Sequence, residues 1–231
     1  MSRSSAHSLA LTLILTLHGP SVGPILAETR SFKPATPDLK VHVLIYNYAS
    51  VTSEKLQKAQ EGASTIFRKA GVEVVWIENT ALQKRPGAPI LEEMDLILRI
   101  LPQPRATLAS RSALGEALPC QLRRYGCIAS VFFNRVKELT DRTGISLHQV
   151  LGHAMAHELG HLLLGSNSHS SLGLMRAKWS NRDMERAAKG DLLFTSEQAE
   201  VIGPKVLAQI QQKVLEKPLP PLAGIKSRAT F

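Results

Sequence analysis

The chain has 231 residues, 44% of them hydrophobic, and a formal net charge of +9 from 28 basic and 19 acidic residues. This length suits one domain with short appendages, and two cysteines are too few for a scaffold built on disulfides. The basic residues are dispersed and no cluster of them is interleaved with aromatic residues. The charge therefore favours acidic surfaces or acidic peptides as partners rather than nucleic acid. The composition indicates no oligomeric state.

The N-terminal segment has the features of a secretory signal peptide, which we place at residues 1–27. Arg3 supplies a basic start, the apolar run at 9–17 is too short to span a bilayer, and Ala27 is a suitable cleavage end. The alternative is a hydrophobic element of the fold. Residues 28–39 are polar, contain two prolines and are predicted to form a loose leader. The sequence thus predicts a secreted or periplasmic protein without a membrane span.

We place the domain at residues 40–216. Its first half contains four β-rich runs and one amphipathic helix. The helix begins at Thr52 or Ser53 and ends at Gly71, between the first two runs. A strand, a helix and a strand in this order form a βαβ unit, so these strands are predicted to be parallel. Residues 103–126 show no clear element. The four predicted strands are 41–48, 72–77, 94–101 and 127–136.

The pentapeptide HELGH at residues 157–161 carries the clearest chemical signal. On a helix, His157 and His161 project from one face, one turn from each other. Two imidazoles supply half of a tetrahedral zinc site, and Glu158 can act as general base on a water at the metal. The alternative is a buried polar cluster, which would be costly because such groups need partners when buried.

The residues around the pentapeptide predict that it lies in the last turns of a mostly buried helix. Ser146 with Gln149 resembles a capping box, apolar residues follow at helical spacing, and Gly165 is suited to end the helix. The chain is then predicted to turn back.

This layout resembles the metzincin clan of zinc proteases, whose pattern is HExxHxxGxxH followed by a methionine turn. The connection to the third histidine is two residues longer here than in the family pattern. The resemblance implies one zinc ion per chain and a zincin-like α+β fold. In that fold a mixed, mainly parallel sheet backs the zinc helix, and the C-terminal part is helical. The implied site residues are His157, His161 and His169 as ligands, Glu158 as base and Met175 as the turn beneath the metal.

Three residues outside this pattern offer alternatives for the metal site. Glu185, or less favourably Asp183, could supply the third ligand from the helix that follows. His153 lies one turn before His157 and could be an extra ligand or a hydrogen-bonded wall residue.

Cys120 and Cys127 are interpreted as a disulfide that closes a short loop, because an exported chain meets oxidising conditions. The alternatives are a thiol that caps the zinc as a latency switch and, if the chain is not exported, two free buried thiols.

The C-terminal part is predicted to hold two helices and then an extended or disordered tail at 217–231. The first helix ends at Lys189, and the second spans 196–216, where Pro204 is expected to introduce a kink or a split. The capping boxes that open these helices are Ser180 with Asp183 and Thr195 with Gln198.

Three histidine ligands leave the fourth zinc position to a water, whose pKa falls toward ~7 and whose proton Glu158 would take. We therefore predict an exported zinc-dependent endopeptidase that acts on peptides or proteins, with a preference for acidic ones. An edge strand, from 105–113 or 127–133, is expected to hold the peptide extended. Two alternatives are a catalytically silent, zinc-stabilised module that binds the cell envelope and a zinc amidase that acts on cell-wall peptides. A fourth protein ligand, such as His153 or Cys120, would favour the module.

Overall fold

A computed structural model of the chain describes residues 39–78, 96–104, 113–118, 127–165 and 167–216. The predicted signal peptide, all but the last residue of the leader and the predicted tail lie outside these ranges. The strands are β1 (Lys40–Asn47), β2 (Glu73–Glu78), β3 (Leu96–Leu101), β4 (Gly115–Leu118) and β5 (Cys127–Phe132). The helices are α1 (Ser53–Lys69), α2 (Phe133–Thr143), α3 (Leu147–Leu164), α4 (Asn181–Ala188) and α5 (Ser196–Glu216).

The five strands form one sheet in the order β2-β1-β3-β5-β4. The first four strands in this order are parallel, and β4 pairs antiparallel with β5. Helix α1 connects the parallel strands β1 and β2, as the βαβ pattern predicts. The predicted fold class is therefore confirmed: a mixed, mainly parallel sheet backs the histidine-bearing helix, and the C-terminal part is helical.

The core lies between one face of the sheet and helices α1 and α3. Alternate residues of a strand point to one face, and the buried side chains Val43, Leu98 and Ala129 contribute to this layer. Helices α1 and α3 approach closely at Gly152, where an added Cβ would lie 2.7 Å from the Ala59 carbonyl oxygen. Helix α3 is buried on nearly every side, so its polar residues lie inside the protein.

Two elements differ from the prediction. The fourth predicted strand ends at Phe132, and α2 follows at once where the run to residue 136 was expected to remain extended. The aromatic residues at 132 and 133 favour a strand locally, but the later residues have helical spacing and bury Val136. Strand β4, of four residues, lies in the segment that shows no clear element, because so short a strand leaves almost no alternation to detect.

One prediction about a helix signal is wrong, and the structure decides another only in part. Ser146 precedes α3, but its hydroxyl donates to Gln149 Oε1 at 2.6 Å instead of accepting from the backbone, so the capping box does not form. The Gln149 amide nitrogen is held by the Ala188 carbonyl oxygen, 2.7 Å away. Helix α5 continues through Pro204, so the helix is not split, and the other predicted outcome, a kink at this residue, stays a prediction. The loss of one helical hydrogen bond there is offset by burial of flanking side chains such as Ile202.

The capping boxes predicted for α4 and α5 are both present. Among the described helices, none has the length and apolar character that crossing a membrane requires.

Candidate metal centre

The last two turns of α3 carry His157 and His161 on one face. Their Nε2 atoms are 3.1 Å apart, and the rings meet edge to face with centroids 4.8 Å apart. Two nitrogens bound to one tetrahedral zinc, each at about 2.0–2.1 Å, would be separated by about 3.4 Å. The helix therefore places this pair close to the spacing that a shared metal ion requires.

A backbone carbonyl fixes the tautomer of His157. Its Nδ1 lies 2.8 Å from the Leu174 carbonyl oxygen, which can only accept, so Nδ1 carries the proton. The neutral ring then presents the lone pair of Nε2, the form that binds a metal. The same carbonyl oxygen accepts from Trp179 Nε1 at 3.0 Å, so the segment after α3 holds both rings.

His161 has an equivalent partner on the following loop. Its Nδ1 lies 2.9 Å from Ser168 Oγ, which leaves Nε2 for the metal. Gln198, at the start of α5, donates from Nε2 to the Ser168 carbonyl oxygen at 3.4 Å and to Ser170 Oγ at 3.1 Å. The loop that carries His169 is therefore attached to both α3 and α5.

His169 completes a group of three imidazoles. One nitrogen of each of His157, His161 and His169 lies within 4.8 Å of the others, and the ring of His169 is 4.6 Å from that of His161. The chain reaches this position because Gly165 adopts φ 108° and ψ 169°, a conformation open in practice only to glycine. Three imidazoles converging on one point suit zinc, and no fourth His, Cys or carboxylate joins the group within the described residues.

Burial sets the charge states in this group. It lowers the pKa of His157 to about 4, with the nearby His161 and His169 adding to the effect. Burial likewise lowers the pKa of His161 to about 4, again assisted by His169. Both rings are thus neutral at pH 7 and available as ligands.

Glu158 follows His157 on α3, and its side chain lies against β4 of the sheet. A Cβ placed on Gly115 of β4 would lie 2.6 Å from Glu158 Cδ, so only glycine leaves room for this carboxylate. Burial raises the pKa of Glu158 to about 8, and the carboxylate of Glu116 adds to the shift. A cation beside it would favour the ionised form, because an opposite charge offsets the cost of burial.

Met175 is fully buried beneath the end of α3. A Cβ on Gly160 would lie 2.7 Å from Met175 Sδ and 2.8 Å from Phe194 Cε1, so the glycine of the pentapeptide gives this side chain its space. The turn before it depends on Gly173, at φ 77°, and on the Leu174 backbone N–H, which donates to the Leu193 carbonyl oxygen at 2.7 Å. Met175 thus packs against α3 next to His161 and contributes no ligand atom to the group.

The alternative ligands are placed differently. Asp183 accepts hydrogen bonds from Arg176 Nη1 at 3.0 Å and from Ser180. These partners offset the cost of burying the Asp183 carboxylate. Glu185 is exposed on α4. His153 is buried, and its Nδ1 donates to the Gln149 carbonyl oxygen at 2.7 Å. None of these three belongs to the histidine group.

Cys127 is disulfide-bonded, so it supplies no thiol for a metal. Cys120 lies outside the described residues, and the pairing of the two cysteines therefore stays a prediction.

Sequence reasoning did not identify Gly115, Ser168 or Gln198 as parts of this site. Gln198 was predicted only as part of the capping box that begins a helix. Its contacts with Ser168 and Ser170 depend on the path of the loop, which the local sequence does not indicate. Of the two proposed substrate strands, β5 pairs on both sides and is therefore not an edge. Segment 105–113 lies outside the described residues except for residue 113, so that alternative stays a prediction. Within the described sheet, β4 forms the edge next to Glu158.

No protein-family model matches the sequence, and no curated protein matches it either. Among solved structures, the chain is similar to archaemetzincin from Methanopyrus kandleri, with 14% sequence identity and a TM-score of 0.46. The alignment covers 75% of this chain and 99% of the archaemetzincin chain.

Proposed function

We propose that the protein is a zinc-dependent endopeptidase that acts outside the cytoplasm. The observation that carries the proposal is the convergence of nitrogens from His157, His161 and His169 within 4.8 Å. Glu158, the residue after His157 on the same helix, is buried and is available as the base. Zinc bound there would supply a Lewis acid that polarises a carbonyl and lowers the pKa of a water.

The role of Glu158 is proton transfer. Its carboxylate would take a proton from the attacking water and donate it to the nitrogen of the departing amine. A base of this kind needs to be ionised when water attacks, and the charge of the bound cation would lower its pKa from the raised value that burial produces.

Strand β4 is suited to hold the substrate. It lies at the edge of the described sheet, antiparallel to β5, and Gly115 brings it against Glu158. A peptide added along its outer side would form main-chain hydrogen bonds and stay extended beside the base.

The first test is the zinc content of the purified protein and of two variants. We expect one zinc per chain in the wild type and in Glu185→Ala, and far less than one in His169→Ala. One zinc retained in His169→Ala, or lost in Glu185→Ala, would contradict the proposed ligand set.

The second test is hydrolysis by zinc-loaded protein of a mixed peptide library and of cell-wall fragments in parallel. We expect peptides to be cleaved, and Glu158→Gln to lose at least about 10³-fold in rate while it keeps its zinc. Cleavage confined to cell-wall fragments would favour an amidase. A zinc-loaded protein that cleaves neither would favour a binding module.

Export is tested separately by N-terminal sequencing of protein recovered from outside the cytoplasm of an expressing bacterium. A mature N-terminus near residue 28 is expected. Retention of Met1 in protein found only in the cytoplasm would contradict export.

A further inference from the structure

A cleft of about 460 Å³ lies beside the metal centre. Ser170 follows His169 directly, and the ring of Trp179 stands edge-on to His157 with centroids 5.8 Å apart. A group bound in this cleft would therefore lie next to the proposed site of hydrolysis. The described lining residues are Ser170, Arg176, Ala177, Lys178, Trp179 and Ser180.

The neutral side-chain donors of the described lining residues are already engaged. The Ser170 hydroxyl donates to the Leu172 carbonyl oxygen at 2.7 Å, and the Ser180 hydroxyl donates to Asp183 at 2.7 Å. Trp179 Nε1 donates to the Leu174 carbonyl oxygen. The side-chain donors left for a bound group are therefore those of the two cationic residues.

Arg176 and Lys178 carry these remaining donors. Asp183 is 5% exposed and holds Arg176 Nη1 at 3.0 Å, so it orients the guanidinium and balances one positive charge. The rest of the guanidinium fork is available, because arginine has five N–H donors. Lys178 is exposed and adds a second positive charge, with no carboxylate among the described lining residues.

We propose that this cleft binds a carboxylate of the substrate, and that Lys178 and Arg176 thereby select acidic peptides. The proposal rests on the proposed peptide hydrolysis and names the substrate class of that site. The carboxylate can belong to an Asp or Glu side chain or to a peptide C-terminus, and both sources present the same pair of oxygens to the cations. Trp179 offers an apolar wall for the methylene groups of such a side chain.

The test uses pairs of quenched fluorescent peptides, amidated at the C-terminus, that differ only by Glu or Gln at one position scanned across the cleaved bond. The wild type is expected to prefer Glu at one position by about threefold to fivefold in kcat/KM, as suits partly exposed cations. Lys178→Glu should remove that preference and favour Lys at the same position. A second comparison uses neutral peptides that differ only in a free or an amidated C-terminus. A higher kcat/KM for the free C-terminus identifies a terminal carboxylate as the group that is bound.

Lys55→Glu is the matched control, because it changes the net charge equally at an exposed position of α1 outside the cleft lining. It should leave the Glu-to-Gln ratio unchanged. Equal rates within every Glu/Gln pair together with equal rates for the free and the amidated C-terminus, or an equal effect of the two lysine variants, would overturn the proposal.

A binding measurement separates this proposal from the proposed hydrolysis. If zinc-loaded protein cleaves no peptide, fluorescence anisotropy with the same labelled peptides still compares their affinities. Tighter binding of acidic peptides that Lys178→Glu abolishes would support the cleft even though hydrolysis had failed. Equal affinities would reject it.

Discussion

At the scale of single residues, the candidate site depends on the atoms that hold its histidines as much as on the histidines. The Leu174 carbonyl oxygen sets the tautomer of His157, and Ser168 occupies the second nitrogen of His161. Partners of this kind orient metal-binding rings and raise their affinity for the metal.

The first prediction concerns the pH dependence of stability in the metal-free protein. Burial lowers the pKa values of His157 and His161 to about 4, so their contribution is present above their ordinary pKa of 6.5 and is lost as pH falls toward 4. Burial raises the pKa of Glu158 from 4.5 to about 8, so its contribution is present below pH 4.5 and is lost as pH rises toward 8. Below pH 6.5, the stability that the two histidines lose on acidification exceeds the stability that Glu158 gains. Above pH 6.5, only the contribution of Glu158 still changes, and it falls as pH rises. We expect stability to be greatest near pH 6.5.

Urea denaturation in the presence of a chelator, from pH 4 to pH 8.5, measures this dependence. Glu158→Gln does not titrate and should remove the decline between pH 6.5 and pH 8, leaving the rise from acidic pH. An unchanged decline in that variant would show that another group causes it.

The second prediction concerns Gln198. Gln198→Glu keeps the oxygen that accepts from the Thr195 backbone N–H but loses the amide hydrogens that bind the Ser168 carbonyl and Ser170. The loop of His169 should loosen, and zinc affinity in competition with a chelator should fall about tenfold. The added negative charge would by itself strengthen binding of a cation, so a fall cannot come from charge.

Gln198→Met separates the two functions of this side chain. It should weaken zinc binding to a similar degree and also destabilise the metal-free protein by about 1 kcal/mol, because the capping box is lost. Wild-type zinc affinity in both variants would remove Gln198 from the support of the site.

At the scale of secondary structure, α3 combines a ligand face with close packing on every other side. Gly152 admits α1, Gly160 admits Met175 and Phe194, and Phe194 in turn packs against Phe67 with ring centroids 5.2 Å apart. The helix can therefore present polar side chains inside the protein because small residues bring its neighbours close.

The third prediction compares two helical glycines. Gly160→Ala would place a Cβ within 2.8 Å of Met175 Sδ and Phe194 Cε1, and we expect a loss of about 1–3 kcal/mol in the free energy of unfolding. Gly62→Ala in α1 meets no atom within 4 Å and should stabilise by about 0.5–1 kcal/mol through helix propensity. Chemical denaturation of both variants in the metal-free state tests this, and a neutral or stabilising Gly160→Ala would contradict the packing described.

The elements that sequence reasoning predicted well are those with long periodic patterns. Strand β1 and helices α1, α3 and α4 lie within one or two residues of their predicted ends, because their apolar spacing and end signals agree. Strand β4 was not predicted, since four residues carry too little pattern. Its Gly115 acquires significance only through contact with Glu158, which lies far away in sequence.

The residues of the candidate site likewise divide into those that local sequence predicts and those that depend on the fold. The pair His157 and His161 could be inferred because helical geometry alone brings residues four apart together. The position of His169 depends on a loop longer than the family pattern, and only the folded chain shows that its ring lies near the pair. The support from Ser168 and Gln198 involves contacts between separate elements, which local sequence cannot indicate.

At the scale of the whole molecule, the candidate metal site joins parts of the chain that are distant in sequence. The three histidines come from α3 and the following loop, Glu158 lies against β4, and α5 holds the loop through Gln198. A bound ion should therefore stabilise the domain and not only the loop.

The fourth prediction is that zinc raises the melting temperature. A ligand at one hundred times its dissociation constant adds about 2.7 kcal/mol, which for a domain of this size is roughly 5–10 °C. Calorimetry with zinc and with a chelator should show this difference in the wild type and in Glu185→Ala, and only a small one in His169→Ala. If zinc left the melting temperature of the wild type unchanged, this would contradict binding of the metal to the folded protein.

The three histidines differ in their access to solvent. His157 is buried, His161 is half-buried, and His169 is exposed. An ion would therefore enter and leave on the His169 side, and the outermost ligand would detach first while the two helix ligands still hold. Competing chelators would attack at this position and form a transient mixed complex, so the lifetime of the loaded state would depend on chelator concentration. The exposed histidine would thus make metal exchange with the surroundings faster than the burial of the other two histidines suggests.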